Sequence, residues 1–303
     1  MLVSRTAPGR RRTPFGIPIP LARLWRLLSA DPVAFAALSF MLAVVVGGLL
    51  AEQISPYGPN VQNIPGRLAP PSWGGGASGH ILGTDALGRD LFSRLLHGTR
   101  MAILIPLVGV SISLSLGVVL GLIAGYYGGK ADAIIMRIVD LQMAFSTLLL
   151  IMVVVVLIGP GVQTLMLVFG IAHWVIYARI VRGALLSLRE APFVQSALVI
   201  GCSNARVLFV HVLPNLLGVL ISVATVEMAR LMVTEAGLSF LGFGVQPPTV
   251  TWGLLLAEGR DYLNVAGWLV TFPGLSIAAT VLAFSLVGSW LREITSPFRV
   301  SFE

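Results

Sequence analysis

Charge is scarce in this 303-residue chain: only 11% of its residues are Asp, Glu, Lys or Arg, against about 25% in soluble domains. With 56% hydrophobic residues and a mean hydropathy of +0.91, too little polar surface remains to cover a water-soluble fold. A soluble enzyme is excluded. Cysteine is scarcer still. Cys202 stands alone, which excludes an intrachain disulfide and any multi-cysteine metal site. Lys130 is the single lysine among 20 basic residues, a compositional bias without functional weight. It also answers the nucleotide question. A phosphate-cradling loop needs G-x-x-x-x-G-K-[ST], yet the position six before the lysine is Ala124 and the one after it is Ala131. Nucleotide cannot be held that way, so any ATPase must be a separate subunit. His80, His97, His173 and His211 show neither H-E-x-x-H nor close ligand spacing. Neither catalytic residues nor a metal or cofactor site is expected in this chain.

What is present points to a bilayer. The 33 Gly and 18 Pro suit membrane helices, where both are commoner than in soluble ones. Six segments are long and apolar enough to cross a core of about 30 Å, which takes about 20 residues. They run approximately Val33–Ala51, Met101–Tyr127, Ala133–Ile158, Val162–Val181, Val207–Val233 and Ala266–Leu291. The first follows a basic stretch, as a signal peptide would. Its apolar run is too long for a typical h-region and no A-x-A site follows at Gly48–Gln53, so it reads as a retained anchor. The fold class is all-α integral membrane protein with six transmembrane helices.

The net charge of +7 reads as orientation signals and lipid-headgroup contacts rather than nucleic-acid affinity. With the N-terminus in the cytoplasm, 14 basic residues fall inside: Arg5, Arg10, Arg11, Arg12, Arg23, Arg26, Lys130, Arg137, Arg179, Arg182, Arg189, Arg206, Arg292 and Arg299. Five fall outside: Arg67, Arg89, Arg94, Arg100 and Arg260. That asymmetry predicts N-in and C-in. Three connections are long: external residues 52–100, internal residues 182–206 and an external loop over 234–265. Loops of that length in a compact bundle are usually functional or partner-facing.

Ionisable groups inside the spans are the candidates for a translocation path. His173 lies mid-span and reads either as a functional group or as a hydrogen-bond partner of a neighbouring helix. Glu227 and Arg230, three apart in the fifth span, can pair across one turn, as a structural ion pair or as a pore gate. Asp140, beside Arg137 near the start of the third span, carries the same two readings. In the second span Gly109, Ser113, Gly117, Gly121 and Gly125 recur every fourth position. Small side chains let helix backbones approach closely, so this row is a packing surface, within the bundle or against a partner, and not a substrate site.

The internal stretch is the most specific feature. From Arg189-Glu190 through Gly201 to His211-Val-Leu-Pro214 it reads as a short helix, a break at Gly201 and a second short helix feeding the fifth span. Pro214 disturbs the ladder least if it lies near the first turn. Such a helix is either an amphipathic linker or an insert for a groove on a cytoplasmic partner. The stretch resembles the EAA loop of ABC-importer permeases. Gln195, Ser196 and Ala197 fall at E-A-A, Gly201 at the glycine of that pattern, and His211-Val-Leu-Pro214 at I-x-L-P. Gln replaces the acidic residue and Ser the first alanine; Arg189 and Glu190 are the charged groups available instead.

Further stretches resemble the C-type permease subunit of the dipeptide/oligopeptide branch, the peptide, nickel and glutathione type. They are Ile81-Leu-Gly-Thr-Asp85-Ala-Leu-Gly-Arg-Asp90 with Phe92-Ser-Arg94, and Gly125-Tyr-Tyr-Gly-Gly129 with Asp132. Glu235-Ala-Gly-Leu-Ser-Phe-Leu-Gly242, followed by Pro247 and Trp252-Gly253, is similar as well. So are Asp31-Pro32 and Ser55-Pro-Tyr57 about the first span. Taken on its residues alone, Gly83-Thr-Asp-x-x-Gly-Arg-Asp90 is only a capped turn before an amphipathic helix.

The resemblance implies the type I ABC importer permease fold with a cytoplasmic coupling helix. The division it implies is 1–32 cytoplasmic, 33–98 first transmembrane helix and external segment, 99–291 five-helix core including the coupling loop 182–206, and 292–303 cytoplasmic tail. It further implies a multi-pass protein of the bacterial inner membrane that forms half of a translocation path for di- or oligopeptides. Its partners would be a second homologous permease, two ATPase subunits and an extracytoplasmic solute-binding protein. Nickel, glutathione or another small solute is the alternative cargo, and a gradient-driven secondary transporter the alternative class.

Overall fold

The computed structural model describes residues 27–74 and 79–295. Arg5, Arg10, Arg11, Arg12, Arg23, Arg26 and Arg299 lie outside the described residues, as do most of segments 1–32 and 292–303. The main helices are α1 (Pro32–Leu49), α2 (Leu91–Tyr127), α3 (Gly129–Met143), α4 (Thr147–Ile158), α5 (Val162–Leu188), α6 (Pro192–Val199), α7 (Asn204–Phe240), α8 (Trp252–Gly259) and α9 (Trp268–Thr295). Five of them are each long and apolar enough to cross a membrane, and the bent pair α3–α4 makes a sixth if it is one span.

Local chemistry sets the starts. Asp31 accepts hydrogen bonds from the amides of Val33 and Ala34 at 3.0 and 3.1 Å, with Pro32 in the first turn of α1, where its missing N–H costs nothing. Asp90 caps α2 through the Ser93 amide at 2.8 Å, as the capped-turn reading expects. The 37 residues of α2 span about 55 Å at 1.5 Å each, well beyond a hydrocarbon core of about 30 Å. Its first turns therefore belong to the structure at one end of the bundle.

The third span departs from the sequence expectation. Instead of running unbroken from Ala133 to Ile158, it bends by 86° between α3 and α4. The cause is polar pairing with α5. Residues 130–142 carry Lys130, Asp132, Arg137 and Asp140, and such a segment satisfies its polar groups by binding α5. Gln142 donates to the carbonyls of Ile171 and Ala172 at 3.1 and 2.9 Å and accepts from Trp174 Nε1 at 2.9 Å. Ser146 is extended at φ −63°, ψ 121° before α4 restarts.

The small-residue row of α2 packs on α5. A Cβ at Gly117 would stand 2.5 Å from the Trp174 carbonyl, and one at Gly121 2.7 Å from the Ala178 carbonyl. Gly109 meets Phe169 and Gly125 meets Leu185, so the contacts rise together along both helices and the pair is parallel. α3 and α4 make the return pass between them. Leu28 and Ala34 cluster with Trp290, and Ala37 with Ala283 and Val287. Early α1 thus meets late α9, which puts both ends of the described chain at one end of the bundle, as an even number of passes requires.

At the opposite end a capping segment, described over residues 55–74 and 79–90, folds over α2 and α8. Gly83 (φ +82°) and Gly88 (φ +72°) are in the left-handed region, and a Cβ on Gly88 would stand 1.8 Å from the Asn63 carbonyl. Only glycine satisfies both demands.

Candidate coupling site and translocation path

The residues singled out for coupling lie at the end where α1 begins and α9 finishes. α5 ends at Leu188, Arg189 is its C-terminal cap, and Glu190 is the next residue, both exposed. Gln195 on α6 donates through Nε2 to the Arg189 carbonyl at 3.0 Å, and Ser196 Oγ to the Pro192 carbonyl at 2.8 Å. Val194 and Ala197 turn inward and join the core with Val207 and Leu208. Val199 and Ile200 are left 87% and 81% exposed, the two most exposed large apolar side chains among the described residues. Gly201 ends the helix at φ +87° with open space where a Cβ would stand. The break at Gly201 is as the sequence predicts.

Beyond Gly201 the chain departs from that expectation. No separate second helix forms; Ser203 caps a continuous helix from Asn204 through the fifth span. Pro214 therefore lies ten residues into that helix, yet in the first turn of its α-helical stretch Leu213–Phe240. A π turn over Val207–Val212 absorbs the disturbance, and Asn215 Nδ2 donates to the His211 carbonyl.

The path candidates divide into two places. Asp140 pairs with Arg179 of α5 at 2.6 Å and not with its neighbour Arg137. A second rung joins Asp132 to Arg182, with one of its two hydrogen bonds at 2.6 Å. Both rungs lie on the α3–α5 seam. His173, Glu227 and Arg230 lie elsewhere, where α5 faces α7. His173 is buried and its Nδ1 lies 3.1 Å from the Phe169 carbonyl of its own helix. Glu227 Oε1 stands 3.4 Å from Arg230 Nη1, with Glu227 buried and the arginine side chain 59% exposed. Glu227 Oε2 and the Tyr177 hydroxyl are buried without a hydrogen-bond partner among the described residues. Among those residues no cluster of three or more His, Cys, Asp or Glu could hold a metal ion.

A polar site that the sequence reading missed sits at the other end. Asp85 Oδ2 accepts from Arg89 Nε and Arg94 Nη1, both at 2.6 Å. Glu258 Oε2 of α8 accepts from Arg94 Nη1 at 2.6 Å and Arg89 Nη2 at 3.1 Å. Arg94 is 1% exposed. Counting Arg89 and Arg94 as orientation charges hid this role. The signal available was Glu258, the sole charge in Trp252-Gly-Leu-Leu-Leu-Ala-Glu-Gly259.

A bundle with no strand among the described residues, five or six apolar spans and an exposed helix between two of them defines a multi-pass membrane permease of the type I ABC importer fold. In architecture the chain is similar to a chain of the inward-facing MetNI methionine ABC transporter, with a TM-score of 0.53 and 17% identity over 68% of this chain and 98% of that one. Residues 117–300 match the family model for the binding-protein-dependent transport system inner membrane component. Residues 20–71 match the N-terminal TM domain of oligopeptide transport permease C. The chain belongs to the binding-protein-dependent transport system inner membrane components. It is 41% identical to the di/tripeptide transport system permease protein DppC of Pseudomonas aeruginosa, over 92% of this chain and 93% of that one. It is 37% identical to the glutathione transport system permease protein GsiD of Pectobacterium atrosepticum, over 92% and 91%. The chain is therefore a transport component of the inner membrane rather than an enzyme, working with an ATPase and a binding protein, and the gradient-driven reading is set aside.

Proposed function

We propose that the chain is one of two homologous permease subunits of an importer for di- or oligopeptides, driven by two ATPase subunits and supplied by an extracytoplasmic solute-binding protein. The likeness to the di/tripeptide permease, 41% over nearly the whole of both chains, carries the cargo class. The glutathione permease at 37% supports a second reading; glutathione is itself a tripeptide, so the two differ in linkage rather than in chemical class.

In this reading α6 docks in the ATPase. Its core face is anchored by Val194 and Ala197, while Val199 and Ile200 offer apolar area to a groove and Arg189 and Glu190 flank it with charge. The end bearing α6 is then cytoplasmic, with both described ends of the chain, and the end formed by the capping segment and α8 receives the binding protein. His173, Glu227 and Arg230 are the groups of this chain nearest the path, which the second permease completes. ATP-driven closure pulls on 189–206, and the bundle alternates between inward and outward openings.

The test is peptide uptake by the assembled transporter in proteoliposomes. Arg189→Glu with Glu190→Lys, and separately Gly201→Val, should each lower uptake and substrate-stimulated ATP hydrolysis at least about tenfold, the effect of losing ~1.4 kcal/mol of docking free energy. Gly201→Val acts through backbone, because φ +87° disfavours a β-branched residue while no atom obstructs it. Membrane insertion stays normal. Wild-type uptake and ATP hydrolysis in both variants would refute the coupling role.

A further inference from the structure

Buried charge is costly, and ion pairs seldom repay it in stability when apolar residues could fill the same space. Four charges nonetheless meet at the end of the bundle away from α6. Asp85 and Arg89 come from the capping segment, Arg94 from the first turn of α2, and Glu258 from α8, so the network ties parts of the chain 164 residues apart. One donor stands outside the network: Arg94 Nε is buried with no partner among the described residues.

The arrangement is also asymmetric. Asp85 Oδ2 holds both guanidinium groups, so withdrawal of Glu258 leaves neither arginine without a carboxylate. Glu258 is the member nearest solvent, 27% exposed against 1% for Arg94. A cleft of about 320 Å³ adjoins the same residues, walled by Leu255, Tyr262 and Leu269, so water has room to follow a parting helix. α8 itself is only eight residues long.

We propose that Asp85, Arg89, Arg94 and Glu258 form a latch that holds α8 down on the capping segment and is released at Glu258 when this end of the bundle opens during transport. Closed, the four charges cancel. Opening divides them into a cationic half, with two arginines and one aspartate, and the anionic Glu258, each open to hydration. Release breaks only the two contacts of Glu258. The latch rests on the transport reading above and deepens it by naming how one end is gated.

The experiment uses the assembled transporter in nanodiscs, where both faces are open to reagent and membrane orientation does not matter. Cys202 is replaced by serine, and Leu255→Cys places a reporter in the cleft wall, where Leu255 is 3% exposed. Labelling by a charged thiol reagent should be slow without nucleotide and at least about tenfold faster in the ATP-trapped complex, matching the loss of charged hydrogen bonds. Glu258→Gln should raise the nucleotide-free rate by a similar factor. Equal rates in the two nucleotide states overturn the latch whatever the glutamate variant does, and that comparison needs no change to the network. An unchanged nucleotide-free rate in Glu258→Gln overturns the assignment of the release point. Failure of the same complex, reconstituted in proteoliposomes, to take up peptide would instead defeat the transport reading and leave the labelling result standing.

Discussion

Gly117 and Gly121 decide how closely α2 and α5 approach. The atoms a Cβ would meet are backbone carbonyls of Trp174 and Ala178 and the Cβ atoms of Tyr177 and Val181, none of which is the free end of a flexible side chain. Gly117→Ala should therefore force the helices apart and lower stability by about 1–3 kcal/mol, as overpacking does. Gly183→Ala on exposed α5 surface, with nothing within 4 Å, should be neutral or stabilising by up to about 1 kcal/mol. Thermal unfolding of the purified chain in detergent checks both, and equal effects would mean the small-residue row is not the contact that spaces the helices. The row was legible because a four-residue period of small residues has one physical use in a membrane. Glu235 was not. Its Oε1 accepts from Ser239 Oγ at 2.8 Å and Thr251 Oγ1 at 2.9 Å, and Gly253 is glycine because a Cβ would stand 2.9 Å from Glu235 Oε2 and 2.8 Å from Ala236 Cα. The stretch Glu235–Gly242 and the later Trp252-Gly253 are thus two halves of one lock, which no spacing along the chain reveals.

Among the elements, α7 joins the proposed docking region to the bundle, and its π turn sets the angle between them. Proline at 214 has no N–H and its ring crowds the carbonyl of Val210, so the backbone over Val207–Val212 widens to π geometry and Asn215 satisfies the His211 carbonyl. Pro214→Ala would supply an N–H and let that turn tighten to α pitch. Removing the extra residue of a π turn rotates everything before it by about 100°, including Asn204–Arg206 and, through them, α6. Thermal stability should hold or rise by about 1 kcal/mol, while ATP-coupled uptake falls about tenfold. A stable variant with undiminished uptake would show that the π turn does not orient α6. Helix breaks were only half legible in sequence. Gly201 announced its own, since a glycine between two helical stretches marks a C-terminal cap. The 86° bend at Ala144–Ser146 had no glycine or proline to mark it. It arises from Gln142, Asp140 and Asp132 finding partners on α5, which is tertiary information.

At the scale of the whole molecule, α1 starts beside the end of α9, so the two described ends share a side. The side depends on charge, and seven of the arginines that predict it lie outside the described residues. Cys202 offers a direct test, because it is the sole cysteine, is partly exposed, and stands in the break between α6 and α7. With this end in the cytoplasm, a membrane-impermeant thiol reagent should leave the unmodified protein unlabelled in spheroplasts and label it once the membrane is permeabilised. The converse comes from Trp73, 72% exposed on the capping segment. In a Cys202→Ser background, Trp73→Cys should label in intact spheroplasts without permeabilisation. The two positions lie at opposite ends of the bundle, so they cannot both report the same side unless the six-pass arrangement is wrong. The reverse pattern in both would invert the chain, placing α6 outside and out of reach of any cytoplasmic ATPase. Positive charge biases orientation through its preference for the cytoplasmic leaflet, so adding lysines beside Trp73 should erode the expected pattern, and adding them near Arg206 should leave it intact.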